Sequence, residues 1–138
     1  MSKEEIIKNN KLIAEFMEGV YTSKLFVIDR GYIWLPNHNM TKIENIKYHK
    51  SWDWLTPVVE KIESLETEQD GNFQVHISSN SCSIQGTNLW KSVQNLSKYG
   101  PVYMSDPNAI FETKLESTYY NVVEFIKWWN NNKINDRN

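Results

Sequence analysis

At 138 residues the chain fits a single domain that buries about two-thirds of the surface its unfolded form exposes. A formal net charge of −2 argues against bulk binding to duplex nucleic acid, which draws its affinity from many Lys and Arg contacts to phosphate. The lone Cys82 excludes an intrachain disulfide, the opening Met1-Ser2-Lys3-Glu4-Glu5 carries charge where a signal peptide needs an apolar core, and no apolar run approaches membrane-spanning length, so a soluble cytoplasmic protein with no membrane partner is expected.

Ser2-Lys3-Glu4-Glu5 has capping-box spacing, and Asn10 is a second candidate cap before the apolar face of Leu12, Ile13, Phe16 and Met17. The first helix is predicted over residues 10–18, with an extension back to residue 3, and Gly19 stands where a C′ glycine would end it. Leu25 to Ile28 and Tyr32 to Leu35 read as a β-hairpin around Asp29-Arg30-Gly31, closed by Pro36-Asn37-His38-Asn39. Met40 to Lys47 does not alternate and reads as loop, with room for a short strand.

Leu55, Val58, Val59, Ile62 and Leu65 form a helical stripe that stops near Leu65, where acidic residues would face the negative helix end. Pro57 leaves two starts: Thr56 as N-cap, or an irregular first turn from Ser51 or Asp53. Asp70-Gly71 is a turn, Phe73, Val75 and Ile77 alternate as a strand, and Ser79-Asn80-Ser81 returns the chain into Cys82 and Ile84. Residues 86–108 read as irregular, with a helical turn at Leu89, Val93 and Leu96 and a short strand at Val102-Tyr103-Met104. The last helix spans Thr113 to Asn130: Thr113 and Glu116 form a capping box, and Leu115, Tyr119, Val122, Ile126 and Trp129 share one face. Residues 131–138 read as a polar tail beyond a domain of residues 1–130. The order α-β-β-α-β-β-irregular-α predicts an α+β domain whose antiparallel strands are covered by about three amphipathic helices.

Chemistry-bearing patterns are few. His49, Ser51 and Asp53 lie too close in sequence to assemble a triad and read as a helix entrance. His38, His49 and His76 share no metal spacing, Cys82 reads as a small buried hydrophobe, and no glycine-rich phosphate loop is present, so no catalytic residue, metal or cofactor is expected. The distinctive feature is 13% aromatic content with six Trp. Tyr120 and Trp128 lie far round the last helix from its stripe, among Ser117, Asn121, Glu124 and Lys127, and are either a binding surface or an edge of the core. Tyr32 and Trp34 share one strand face while Ile33 and Leu35 take the other, and Trp52 and Trp54 flank Asp53 with one expected to turn inward. These six aromatics are the candidate binding residues.

Three stretches carry a resemblance: residues 10–17, residues 48–63, and Lys114 to Tyr119 running on to Val122 to Trp128. Together they resemble small uncharacterised phage and prophage proteins of Bacteroidetes related to the phage α-β-α sandwich domain. They cover somewhat over a quarter of the chain and are fold markers, and residues 86–108 depart from the shorter connection usual there. The resemblance implies no catalytic residues. It implies a phage-encoded accessory protein in the host bacterial cytosol, inhibiting a host immune system such as a CRISPR effector by docking onto a host protein. The other reading is a homo-oligomer that sequesters a nucleotide or other small signalling molecule by aromatic stacking, with Lys24, Arg30 or Lys91 meeting phosphate. A pocket of stacked aromatics and basic residues would favour sequestration, a flat aromatic patch would favour docking, and convergent His and carboxylate groups would favour an enzyme.

Overall fold

A computed structural model of the chain describes residues 1–17, 32–35, 39–67, 70–87, 103–104 and 113–136, without the side chains of residues 32, 34, 39–40, 103–104 and 132–136. Gly19, the predicted strand Leu25 to Ile28, the loop around Arg30, the helical turn at Leu89 to Leu96 and the turn at Ser105 to Asn108 lie outside the described residues. Within them the fold is α+β: α1 (Lys3–Phe16), β1 (Tyr32–Leu35), β2 (Asn39–Lys42), a 3-10 turn (Ile43–Asn45), α2 (Trp52–Ser64), β3 (Glu66–Thr67), β4 (Gly71–Ile77), β5 (Cys82–Gly86), β6 (Tyr103–Met104) and α3 (Lys114–Asp136).

Helix α1 takes the earlier of its two predicted starts, because the Ser2 hydroxyl accepts from the Glu5 amide at 3.2 Å. Asn10 is therefore not a cap; it sits in mid-helix, 2% exposed. At the other end, the Lys61 ammonium of α2 donates to the Phe16 carbonyl and lies 4.8 Å from the Phe16 ring centre. It supplies the positive charge that the last turn of α1 lacks in its own sequence.

Strand β1 pairs antiparallel with β2, Ile33 opposite Thr41 and Leu35 opposite Asn39. The segment after Pro36-Asn37-His38, read mainly as loop, is thus a strand. Asn39-Met40-Thr41-Lys42 carries little strand propensity of its own, and β1 supplies its hydrogen-bonding template. Helix α2 begins at Trp52, so of the two starts for that helix the one at Ser51 is observed. The Ser51 carbonyl accepts from both Trp54 at 3.2 Å and Leu55 at 3.0 Å, and Pro57 is accommodated inside the helix.

A four-stranded antiparallel sheet runs β3-β4-β5-β6. Its first turn is fixed by Thr67, whose hydroxyl accepts from the Asp70 amide at 2.8 Å and donates to the Asp70 carboxylate at 2.9 Å, and by Gly71, whose φ of 70° lies in the left-handed region. The pairs Phe73–Gly86, Val75–Ile84 and Ile77–Cys82 place one set of side chains on a common face. Helices α2 and α3 pack on that face, α2 chiefly over β4 and α3 over β5, while Gln74 and His76 point to solvent on the other.

Helix α3 differs from its sequence reading in two ways. It runs on through Asp136, into the stretch read as a polar tail, because Asn residues weaken a helix without breaking it and no Gly or Pro stands in the way. It is also buried round more of its circumference than one stripe: Ser117, Thr118, Asn121, Val123 and Phe125 join Tyr119, Val122 and Ile126 in the interior. Asn121 is satisfied there by donating to the Ser117 carbonyl at 2.9 Å, one turn back. Ser117 and Asn121 thus do not belong to a solvated face. Among the described residues, no helix is long and apolar enough to cross a membrane.

Candidate functional site

Two helix beginnings meet at one cleft. In α1 the Ser2 cap holds the first turn, and in α3 the Thr113 hydroxyl accepts from the Glu116 amide at 3.1 Å. Glu5 and Glu116 are therefore the third residue of their respective helices, and both carboxylates are solvent-exposed. With Met1, Ile6, His49, Tyr119 and Tyr120 they line a cleft of about 540 Å³.

Behind the cleft lies a buried polar junction. The Asn10 amide nitrogen donates to the Ile46 carbonyl at 3.1 Å and stands 3.0 Å from His49 Nδ1, while its oxygen accepts from the Tyr119 hydroxyl at 2.9 Å. The Ile46 carbonyl can only accept, which fixes the amide orientation. The second amide hydrogen is then directed at His49 Nδ1, which must accept it, so the neutral imidazole carries its proton on Nε2. Partial burial, and secondarily the charge of Lys50, lower the His49 pKa below its ordinary 6.5. Burial raises the Tyr119 phenol, keeping it a neutral donor. The Tyr119 proton goes to Asn10 rather than to the Ile6 carbonyl, which is farther off at 3.5 Å. Asn10 thus joins α1, the 46–49 segment and α3, and it sets the orientation of two groups that line the cleft.

Of the six candidate aromatics, the cleft includes Tyr120, which is half-buried. Trp128 takes the core-edge alternative. Its ring centre lies 5.9 Å from Phe73 and 5.6 Å from Phe125, in a cluster that also holds Trp129, about two helical turns from Tyr120. Trp54 is the one of its pair that turns inward, edge-on to Tyr48 with centres 5.3 Å apart, while Trp52 is 38% exposed. Ile33 and Leu35 are the buried face of β1; the Tyr32 and Trp34 side chains lie outside the described residues. The described members therefore do not form one aromatic patch.

His49, Ser51 and Asp53 do not converge: His49 turns to Asn10, Ser51 gives its backbone carbonyl to α2, and Asp53 is exposed. Burial raises the Cys82 thiol to about 11, with a smaller opposing influence from the Thr118 hydroxyl, which has no regular hydrogen bond among the described residues. Among the described residues, no group of three His, Cys, Asp or Glu side chains is gathered for a metal ion.

Sequence reasoning missed the junction at Asn10 and the pairing of Glu5 with Glu116. One signal was present: Asn10 stands four residues after Ile6 and three before Ile13, at a stripe position where an apolar side chain is expected. No family model, no curated protein and no solved structure matches this chain.

Proposed function

We propose that this chain is a non-enzymatic binding protein that docks onto a protein partner through the cleft between the first turns of α1 and α3. The observation that carries the reading is the cleft itself, with Tyr119 and Tyr120 on its wall and Glu5 and Glu116 on its exposed rim. Rigid aromatic walls beside polar acceptors are the composition of a recognition site. An imidazole and two carboxylates could also suggest acid–base chemistry, but Asn10 occupies the Nδ1 lone pair and leaves His49 presenting an N–H, which cannot act as a base. Both carboxylates are solvent-exposed.

Lys24, Arg30 and Lys91, the residues that would meet phosphate in the sequestration reading, lie outside the described residues. A phage origin, and a host immune effector as the partner, are supported by the resemblance of the three helical segments alone.

Photo-crosslinking tests docking. A benzophenone amino acid at Tyr120 should trap a discrete protein from phage-infected host lysate, whereas the same group at exposed His76 on the far face of the sheet should not. No trapped protein at position 120, or the same products at both positions, would sink the reading.

A further inference from the structure

We infer that His49 is a proton-operated latch on the cleft: the neutral ring is hooked to Asn10, and the protonated ring lets go and turns into the cleft. Such a latch sets the shape of the cleft whatever the cleft receives. In the neutral form Nδ1 accepts the second amide hydrogen of Asn10 across 3.0 Å. A proton taken from solvent onto Nδ1 sets its new N–H against the Asn10 N–H, two donors with no acceptor between them.

Two movements would remove that clash, and the other partners of Asn10 select one. Turning the amide end over would offer its oxygen to the imidazolium. The same oxygen would then take the place of the nitrogen that stands 3.1 Å from the Ile46 carbonyl, leaving two acceptors face to face beside a side chain only 2% exposed. It would also turn the Tyr119 hydroxyl away from its 2.9 Å bond toward the Ile6 carbonyl at 3.5 Å. Moving the ring instead gives up one hydrogen bond and the contact with the Tyr119 ring, whose centre is 6.1 Å away. His49 is half-buried and borders the cleft of about 540 Å³, so rotation about its side-chain bonds carries the imidazolium to water with the backbone in place.

The charged and titratable groups around the ring come from three elements. Glu5 and the α-amino group of Met1 border the cleft from α1, Glu116, Tyr119 and Tyr120 border it from α3, and Lys50 adjoins the ring in its own turn. The two carboxylates are offset by the α-ammonium and by about half a positive charge at each helix beginning, so no net charge pulls the imidazolium outward. Hydration of the charged ring and relief of the clash at Asn10 work the latch. Burial, and secondarily Lys50, hold the neutral form to a lower pH than a free imidazole, so the latch opens below about pH 6.5 and is closed above it.

An NMR pH titration of the full chain, from about pH 7.5 down to about pH 5, tests this on the wild-type protein. At the upper end the ring nitrogens should report the Nε2–H tautomer. As His49 titrates, its side-chain couplings should report a new rotamer, its ring should lose the shifts induced by Tyr119, and the Asn10 amide proton that faces it should move to a solvent-like position. The Asn10 proton on the Ile46 carbonyl should stay where it is. An unchanged His49 rotamer through the titration, or both Asn10 amide protons leaving their partners together as an inverted amide requires, would overturn the latch. Asn10→Asp puts a charged acceptor where Asn10 donates. It should raise the His49 midpoint by at least about one pH unit and keep the imidazolium in place. A ring that still leaves in that variant would overturn the role of Asn10, and if the variant does not fold the wild-type titration decides by itself.

Discussion

Around Tyr119, helix α3 meets α1 and the 46–49 segment through hydrogen bonds, each with one acceptable direction. From Phe125 to Trp129 the same helix meets β4 through rings: Phe125 lies edge-on to Phe73 at 5.0 Å and nearly parallel to Trp129, with an interplanar angle of 16°. The aromatic end contributes more free energy, because large rings remove more surface from water. The polar end contributes more geometry, because a buried amide is satisfied in few arrangements. A helix anchored by rings alone could slide or rotate with modest loss. Anchored also at Asn10, it holds Tyr119, Tyr120 and Glu116 in one register against Glu5 and His49.

The largest test of this contrast is Phe125→Ala, which should cost about 3–5 kcal/mol in urea unfolding, as expected for a fully buried ring. A loss under about 1 kcal/mol would show that the aromatic end does not hold the helix. Next comes Asn10→Ala, expected to cost about 2–3 kcal/mol by stranding the Ile46 carbonyl, His49 Nδ1 and the Tyr119 hydroxyl. Its distinguishing signature is local: NMR shifts should spread over His49, Tyr119 and Tyr120 while the Phe73 cluster stays unchanged. Trp128→Ala should cost about 1–2 kcal/mol, since the ring is only half-buried beside Phe73 and Phe125. An unaltered melting temperature would return Trp128 to the surface and remove it from the aromatic junction.

The smallest effect is the pH dependence of the polar junction. The folded pKa of His49 lies below the unfolded value of 6.5, so between the two the unfolded chain binds the extra proton. The contribution is therefore fully present above about pH 6.5 and declines as pH falls through that window toward the lower folded pKa. Urea midpoints compared at about pH 7.5 and pH 5.5 should show the drop, and His49→Gln should flatten it. A wild-type midpoint that rises on acidification would reverse the sign and disprove the neutral, Asn10-bonded imidazole.

The elements with strong periodicity were legible in the sequence: the stripe Leu55, Val58, Val59 and Ile62 is buried in α2, and Phe73 and Ile84 face the core from β4 and β5. The capping residues Ser2 and Thr113 were legible as well, since cap spacing is a local rule. Strand β2 was obscured because its residues are specified by their partner rather than by their own propensity. The polar residues of α3 misled for a related reason. Ser117 and Asn121 look solvated in sequence, but each hydrogen-bonds a backbone carbonyl of the preceding turn and can be buried without an external partner. The cleft was the least legible part, since it needs Glu5, His49 and Glu116 from three distant stretches of the chain. Tyr120, which lines the cleft, stood out in the sequence because it broke the pattern of its helix; Asn10 broke a pattern too, but a cap offered a nearer explanation.

Cys82 has a practical consequence for all of these experiments. With its thiol buried and raised to about 11, only about one in a thousand is ionised at pH 8, and the folded protein shields even that fraction from reagents. A spin label or fluorophore can therefore be attached at an engineered surface cysteine without first replacing the native one. The same thiol becomes reactive when the sheet and α3 separate, so its rate of alkylation serves as a built-in clock for the opening of the core.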